Sequence, residues 1–297
     1  MNGDNQNTGR GKISSAGYAA FAQQLYNTCI ISDPWVEGHE RFCLEPVILS
    51  SQIYHRLCSA AEAIGRVYEE LCELVLAHPE WLDTFFHLTP YQKLMWLSSE
   101  GRWHGIARLD LFLLPDGIIQ MCEMNSDTPS GEAEAVVPNQ LCHPHYPYMK
   151  NPNEHFADRF YTIDILFRHY KTDWWGERFP VWSDAEEFPD PEPLDLQLRQ
   201  VLEAELENRV TVVNPFGAVL TQNKLTMAFC WQKIALFSPE SHKSIRLYIP
   251  ETYRLCDIAA NSLSKADWVL KSDYGCEGDE VIAGGLSTST IRMATLY

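Results

Sequence analysis

The sequence predicts a mixed α/β (α+β) protein, because a long helical pattern is followed by a hairpin pattern and then by strands that alternate with helices. Residues 50–78 carry apolar side chains at alternating three- and four-residue spacing, which is typical of one amphipathic helix. Residues 104–125 contain two apolar runs joined by Asp116-Gly117, a dipeptide that favours a hairpin turn. With 297 residues, 45% of them hydrophobic, the chain is large enough for a substantial core and two domains.

The other elements follow from the same kinds of pattern. Residues up to about Gly17 are polar and predict a tail, whereas Ser50 or Ser51 caps the long helix and Pro79 lies just past its end. A further helix begins at Pro90. The later elements are a strand at 162–168, a helix at 194–206, a strand at 209–213, a helix starting in 220–224, and two strands around 268–271 and 281.

Composition excludes several classes of function. A formal net charge of −17 argues against general binding of nucleic acid or of an anionic membrane surface, both of which need a basic patch. The acidity is compatible with a cationic amine substrate. The nine cysteines form no CxxC pairs, which is typical of reduced intracellular thiols. Because no apolar run reaches transmembrane length and the N-terminus lacks a signal-peptide core, we expect a cytoplasmic protein.

The hairpin pattern places four polar side chains on one face. With Asp116-Gly117 as a two-residue loop, Asp110 lies opposite Glu123 and Arg108 lies opposite Asn125. Two directly opposed carboxylates destabilise a hairpin. A hard cation between them removes that conflict, with Asn125 adding an oxygen ligand and Arg108 binding a phosphate. The face therefore predicts a site for a magnesium-bound nucleotide.

A second interpretation of this face is a solvated surface with two incidental acids and an ordinary arginine–carboxylate pair. The polar run at 126–135 shifts the balance towards ligand binding, because it leads through a turn into a predicted helix. Thr128 or Ser130 is expected to cap that helix, whose free N–H groups favour a carboxylate or a phosphate.

The stretch Arg108-x-Asp110 … Glu123-x-Asn125-x-Asp127-Thr128-Pro129 resembles the signature of glutathionylspermidine synthetase-like proteins, the circularly permuted ATP-grasp ligases. The resemblance implies that Arg108 is the catalytic arginine, in contact with the terminal phosphate of ATP. It implies equally that magnesium is held by Asp110, Glu123 and Asn125.

The resemblance also implies a substrate site. Thr128 and Ser130 match the small hydroxyl residues that contact the peptide substrate in this family. Lys171-Thr172 matches a family stretch in which a nearby acid lines the substrate site, and both Asp173 and Glu177 are candidates for that acid. The alternative for this stretch is an aromatic cluster that closes a subdomain.

The last third of the sequence carries a second set of motifs. Asn-Lys at 223–224, Ile-Pro-x-Thr at 249–252, Leu-Lys at 270–271 and Gly-x-x-Gly at 275–278 resemble, in this order, the first half of an ATP-grasp domain. The resemblance implies that Lys224 and Lys271 bind the nucleotide. Gly275 and Gly278 would let the backbone approach the phosphates closely. Since the family domain continues past this loop, we expect the C-terminal part of the domain to be missing.

The combined expectation is a truncated ATP-grasp-like fold in three parts. Residues 1–100 form a tail and helical region, 101–213 a metal-binding hairpin with a pre-ATP-grasp-like α/β region, and 214–297 a partial nucleotide-binding region. The expected activity is ATP- and Mg²⁺-dependent amide formation between a peptide or small carboxylate and an amine, through an acyl-phosphate. The alternatives are a non-catalytic ATP-grasp relative that binds nucleotide and metal, and a metal-dependent hydrolase using Asp110 and Glu123.

Overall fold

The structure confirms a mixture of helices and small sheets. It is a computed structural model that describes residues 15–153, 165–167, 171–172, 195–258, 268–275 and 281–283. The chain divides into two compact units, one formed by residues 1–50 and 130–163 and the other by 51–129 and 164–297. The three-part division expected from the sequence stays a prediction.

The elements of the described residues are, in chain order, α1 (Ser15–Asn27), β1 (Trp35–Val36), β2 (His39–Glu40), α2 (Ser51–Ala77), α3 (Trp81–Thr84), α4 (Pro90–Ser98), β3 (Arg108–Leu113), β4 (Ile119–Asn125), α5 (Glu132–Cys142), β5 (Ile165–Phe167), α6 (Asp195–Leu206), β6 (Thr211–Val213), α7 (Ala218–Thr221), α8 (Leu225–Gln232), α9 (Pro239–Tyr248), β7 (Val269–Lys271) and β8 (Val281–Ala283). No helix among them is long and apolar enough to cross a membrane.

The first unit contains α1, the short β1–β2 hairpin and α5. Its core is a cluster of buried side chains from α1, from the segment after it and from α5: Tyr18, Phe21, Ala22, Leu25, Ile31 and Val137. The residue preceding α5 is Gly131, which has a φ of +98° and offers no side chain for capping. The prediction that Thr128 or Ser130 caps this helix was therefore wrong, because the helix begins later than that pattern suggested.

The second unit is built around α2, whose predicted bounds are confirmed. Buried residues recur along one face of the helix, at Ala60, Ile64, Val67, Leu71 and Val75. This face packs against α9 and against the aromatic side chains of α3 and α8. α4 begins at Pro90 as expected. The Thr89 side chain accepts a bond from Gln92 N, and the Gln92 side chain accepts one from Thr89 N, so two backbone donors at the start of the helix are satisfied.

The β3–β4 hairpin has a longer loop than the sequence suggested. Leu114 N donates to Ile118 O at 2.8 Å, so the loop contains three residues, 115–117. Gly117 closes it with a φ of +82°, a left-handed conformation that glycine adopts without strain. The prediction of a two-residue Asp116-Gly117 loop was wrong, and the added residue shifts the pairing next to the loop by one position.

A bulge in the middle of the hairpin restores the predicted pairing. Leu111 pairs with Met121 whereas Asp110 pairs with Glu123, which leaves Cys122 as an extra residue on β4. Beyond this bulge Arg108 pairs with Asn125, as the sequence predicted. The opposition of the two acids is thus confirmed, although the loop from which it was inferred is different.

The remaining strands form two further pairs in the second unit. β5 pairs with β6 in parallel, from Ile165 opposite Thr211 to Phe167 opposite Val213. β7 pairs with β8 in antiparallel orientation, with Lys271 opposite Val281. Both pairs agree with strands predicted from the sequence.

Candidate functional site

Each of the two opposed acids on the hairpin has a cation of its own. Arg108 donates from Nε and Nη2 to the two carboxylate oxygens of Asp110, at 2.8 and 3.1 Å. Lys224 Nζ lies 3.5 Å from Glu123 Oε2. These pairs offset the repulsion between the acids. A metal ion was predicted because it would offset the repulsion between the two acids. The protein's own Arg108 and Lys224 also offset that repulsion.

Asn125 completes the polar face. Its Nδ2 donates to Asp110 Oδ2 at 3.2 Å, and all four side chains of the face are partly accessible. Within the described residues no group of three or more His, Cys, Asp or Glu side chains could hold a metal ion. The donor set is instead two carboxylates and one amide oxygen. Hard oxygen ligands of this kind suit Mg²⁺, which commonly takes one or two carboxylates and retains several water ligands.

Residues from the last third of the chain lie against this hairpin. Besides contacting Glu123, Lys224 Nζ donates to the carbonyl of Gly275. Lys271 Nζ lies 3.3 Å from Cys122 O, on the bulge of β4. Three of the residues that the sequence assigned to nucleotide binding are thus next to the predicted metal ligands, whereas Gly278 lies outside the described residues.

Three basic side chains lie beside the two opposed acids of the hairpin. Arg108, Lys224 and Lys271 contribute three positive charges, against the two carboxylates of Asp110 and Glu123. The Arg108 side chain is 42% exposed, and Lys271 is also exposed. An anion therefore meets accessible cations here, although the chain as a whole carries a charge of −17.

Buried polar groups fix the end of β4. The backbone N–H groups of Ser126 and Asp127 both donate to Gln222 Oε1, at 3.0 and 3.2 Å. Asp127 is fully buried, and its Oδ2 accepts bonds from Thr172 N at 2.6 Å and from Thr172 Oγ1 at 3.0 Å. Asp127 was quoted in the sequence motif but given no role, because a single sequence does not show which polar residues become buried.

Asn214 connects the two ends of the hairpin. Its Oδ1 accepts bonds from the backbone N–H groups of Gly105 and Ile106, both at 2.8 Å, just before β3. Its Nδ2 donates to the carbonyl of Asp127 at 2.9 Å, just after β4. One feature of the sequence pointed weakly to this role: Asn214 lies between a predicted strand and Pro215.

The predicted substrate residues are only partly described. Thr128 is half-buried and follows Asp127 directly, so it lies at the end of the hairpin that carries the acids. Ser130 is exposed and belongs to the other unit. Asp173 and Glu177 lie outside the described residues. Thr172, immediately before them, bonds to Asp127.

No family model matches this chain, and no curated protein matches it.

Proposed function

We propose that the hairpin face binds the phosphates of ATP together with Mg²⁺, and that the chain is an ATP-grasp-like ligase joining a carboxylate to an amine. One observation carries this proposal. Lys224 contacts Glu123 of the hairpin and also bonds to Gly275, and Lys271 contacts Cys122 of the hairpin. These three residues lie about 100 to 150 positions after the hairpin in sequence. The same residues form the nucleotide-binding set that the sequence resemblance implies.

The protein's contribution to such a reaction is mainly electrostatic. Arg108 and Lys271 are proposed to hold phosphate oxygens, which is supported by their exposure, and Lys224 lies on Glu123 of the same hairpin. Asp110, Glu123 and Asn125 would hold Mg²⁺, which when bound neutralises charge on the phosphates. Positioned cations of this kind stabilise the charge that develops during phosphoryl transfer.

The substrates follow from the proposed chemistry. The terminal phosphate of ATP passes to a carboxylate oxygen, and ADP leaves. The amine then attacks the acyl carbon, an amide bond forms, and phosphate and a proton are released. Because the accepting carboxylate must lie close to the terminal phosphate, Thr128 at the end of β4 is the proposed contact for the acid, with Ser130 beside it in sequence. Asp173 or Glu177 is proposed to bind the cationic amine.

The test is Mg²⁺-dependent release of ADP in the presence of glutathione and spermidine, the substrates that the family's name supplies. Hydroxylamine replaces spermidine in a second assay, since it traps an acyl-phosphate as a hydroxamate whichever amine is natural. ADP release that requires both the acid and the amine supports the ligase. ATP binding without turnover supports the non-catalytic relative, and turnover that needs no amine supports a hydrolase.

Two isosteric variants of the hairpin sharpen this test. Glu123→Gln removes a proposed metal ligand and should lower ADP release by roughly 100-fold or more. Asp116→Asn is the matched control: Asp116 lies in the loop, and Asn retains the oxygen that accepts the bond from Ile118 N. If both variants retain wild-type turnover, Glu123 has no part in catalysis and the proposed metal site is wrong.

A further inference from the structure

The carboxylate of Asp110 is occupied by side chains of the protein itself. Arg108 donates from Nε to Asp110 Oδ1 at 2.8 Å and from Nη2 to Asp110 Oδ2 at 3.1 Å. Asn125 Nδ2 donates to the same Oδ2 at 3.2 Å. Both oxygens of this proposed metal ligand therefore accept hydrogen bonds, and a two-point bond to a guanidinium is among the stronger contacts that a carboxylate makes.

The two cations paired with the opposed acids differ in exposure. The side chain of Lys224 is 12% exposed, and its Nζ bonds to the carbonyl of Gly275 as well as lying 3.5 Å from Glu123 Oε2. The side chain of Arg108 is 42% exposed. An ion pair that is open to water is easily replaced, because water hydrates both charges once they separate. Arg108 is therefore the cation of this face that can change its partner.

Asp110 cannot bind Arg108 at both oxygens and hold a metal ion at the same time. A metal ion that arrives alone has to displace the guanidinium, which then loses its acid. A triphosphate offers Arg108 other anionic oxygens, and the carboxylate becomes available in exchange. Each of the two ligands therefore strengthens the binding of the other, and by thermodynamic linkage the two effects are equal.

We propose that Arg108 is an exchangeable counter-ion, which makes metal binding on the hairpin conditional on the nucleotide. Without nucleotide Arg108 bonds to Asp110; with a triphosphate it bonds to phosphate oxygens and leaves Asp110 to Mg²⁺. This inference rests on the proposed function, since it gives a second role to a residue of that site. It differs from the hydrolase alternative, in which the acids hold a metal whether or not a nucleotide is bound.

The first measurement is the binding of Mn²⁺ alone, followed by electron paramagnetic resonance. Mn²⁺ suits the same oxygen ligands as Mg²⁺. Arg108→Met removes the counter-ion and leaves both acids and Asn125 in place. We expect this variant to bind Mn²⁺ roughly 5-fold or more tightly than the wild-type chain. Arg108→Lys keeps the charge but loses the two-point bond, so its affinity for Mn²⁺ should be intermediate.

Lys271→Met is the matched control. It removes one positive charge beside the same hairpin, but Lys271 Nζ lies 3.3 Å from the carbonyl oxygen and 3.5 Å from the sulfur of Cys122, not on a carboxylate. Water and salt screen an exposed charge that does not touch the acids, so the affinity for Mn²⁺ should stay within about two-fold of wild type. If Lys271→Met tightens Mn²⁺ binding as much as Arg108→Met does, the effect is one of general charge and the proposal is overturned.

The second measurement is calorimetric binding of adenylyl imidodiphosphate, a non-hydrolysable ATP analogue, with Mg²⁺ or with EDTA. The wild-type chain should bind it roughly 10-fold more tightly with Mg²⁺. Arg108→Met should weaken binding of the magnesium complex roughly 10-fold, so one substitution changes the affinities for metal and nucleotide in opposite directions.

The outcomes separate this inference from the proposed function. If the analogue binds to the wild-type chain and Arg108→Met leaves the affinity for Mn²⁺ unchanged, the exchange is refuted and the nucleotide site stands. If the analogue binds to no form of the protein, with or without Mg²⁺, the proposed function is wrong and the exchange fails with it. Tighter Mn²⁺ binding cannot come from a variant that has lost its fold, so the expected result also shows that the hairpin is intact.

Discussion

Replacing Asn214 with alanine tests how the hairpin is held in place. Asn214 is 1% exposed and makes three hydrogen bonds to the backbone, to Gly105 N, Ile106 N and Asp127 O. Alanine removes all three at once and leaves these backbone groups without their partner. The variant should therefore be less stable, and the two ends of the hairpin should no longer be tied together.

The size of the effect follows from the bonds lost. A typical hydrogen bond contributes about 1 kcal/mol net, and stranding a buried partner adds to that cost. Three bonds give a loss of about 3 kcal/mol in the free energy of unfolding, which is roughly 150-fold in the folding equilibrium constant.

Asn223→Ala is the matched control. Asn223 is also fully buried, but its Oδ1 accepts a single bond, from Leu225 N at 2.8 Å. Its Nδ2 has no hydrogen-bond partner within the described part of the chain, so its removal relieves an unsatisfied donor. Because both variants delete the same atoms from a buried site, the difference between them isolates the bonds of Asn214. We expect a cost of about 1 kcal/mol or less for Asn223→Ala.

Urea unfolding followed by tryptophan fluorescence measures both variants. With a slope of about 3 kcal/mol per molar urea, the midpoint for Asn214→Ala should fall by about 1 M. The midpoint for Asn223→Ala should move by about 0.3 M or less. If the two variants unfold within 0.1–0.2 M of each other, roughly the error of such curves, the three bonds of Asn214 do not stabilise the hairpin and the reasoning is refuted.

Four further predictions concern stability and thiol reactivity. Gly217→Ala should cost about 3 kcal/mol or more, because a Cβ there would lie 2.1 Å from the carbonyl oxygen of Arg102. A Cβ added at Gly65 in α2 would have no atom within 4 Å, so Gly65→Ala should stabilise the fold by about 0.5–1 kcal/mol. Equal urea midpoints for Gly217→Ala and Gly65→Ala would contradict both expectations. Burial raises the pKa of the Cys72 thiol well above its ordinary value, so iodoacetamide at about pH 8.5 should alkylate the exposed Cys256 but not native Cys72. In the unfolded chain the Cys72 thiol loses its proton near that pH, whereas in the native protein it keeps its proton. The free energy of unfolding should therefore decline as the pH rises further. A free energy of unfolding that stays constant up to about pH 10 would count against this cause.

Elements set by short-range contacts could be predicted from the sequence. The apolar spacing of α2, the start of α4 at Pro90 and the paired strands of the hairpin depend on residues close together in the chain, and the structure confirms all three. The hairpin also shows where this reasoning is incomplete. Its pairing at Asp110 and Glu123 was predicted correctly only because the extra loop residue and the bulge at Cys122 shift the register in opposite directions.

The surroundings of the candidate site depended on the tertiary structure. From the sequence, the hairpin pattern predicted the two acids as a site, and the family resemblance implied that the lysines belong to it. Only the tertiary structure showed that Lys224 pairs with Glu123 and that Asn214 forms hydrogen bonds at both ends of the hairpin. These contacts join residues about 90 to 110 positions apart, and a single sequence carries no signal for the partner of a buried polar group at that separation. Local hydrogen bonds and side-chain spacing determine helices and hairpins, whereas the packing of distant segments decides which charges and amides meet.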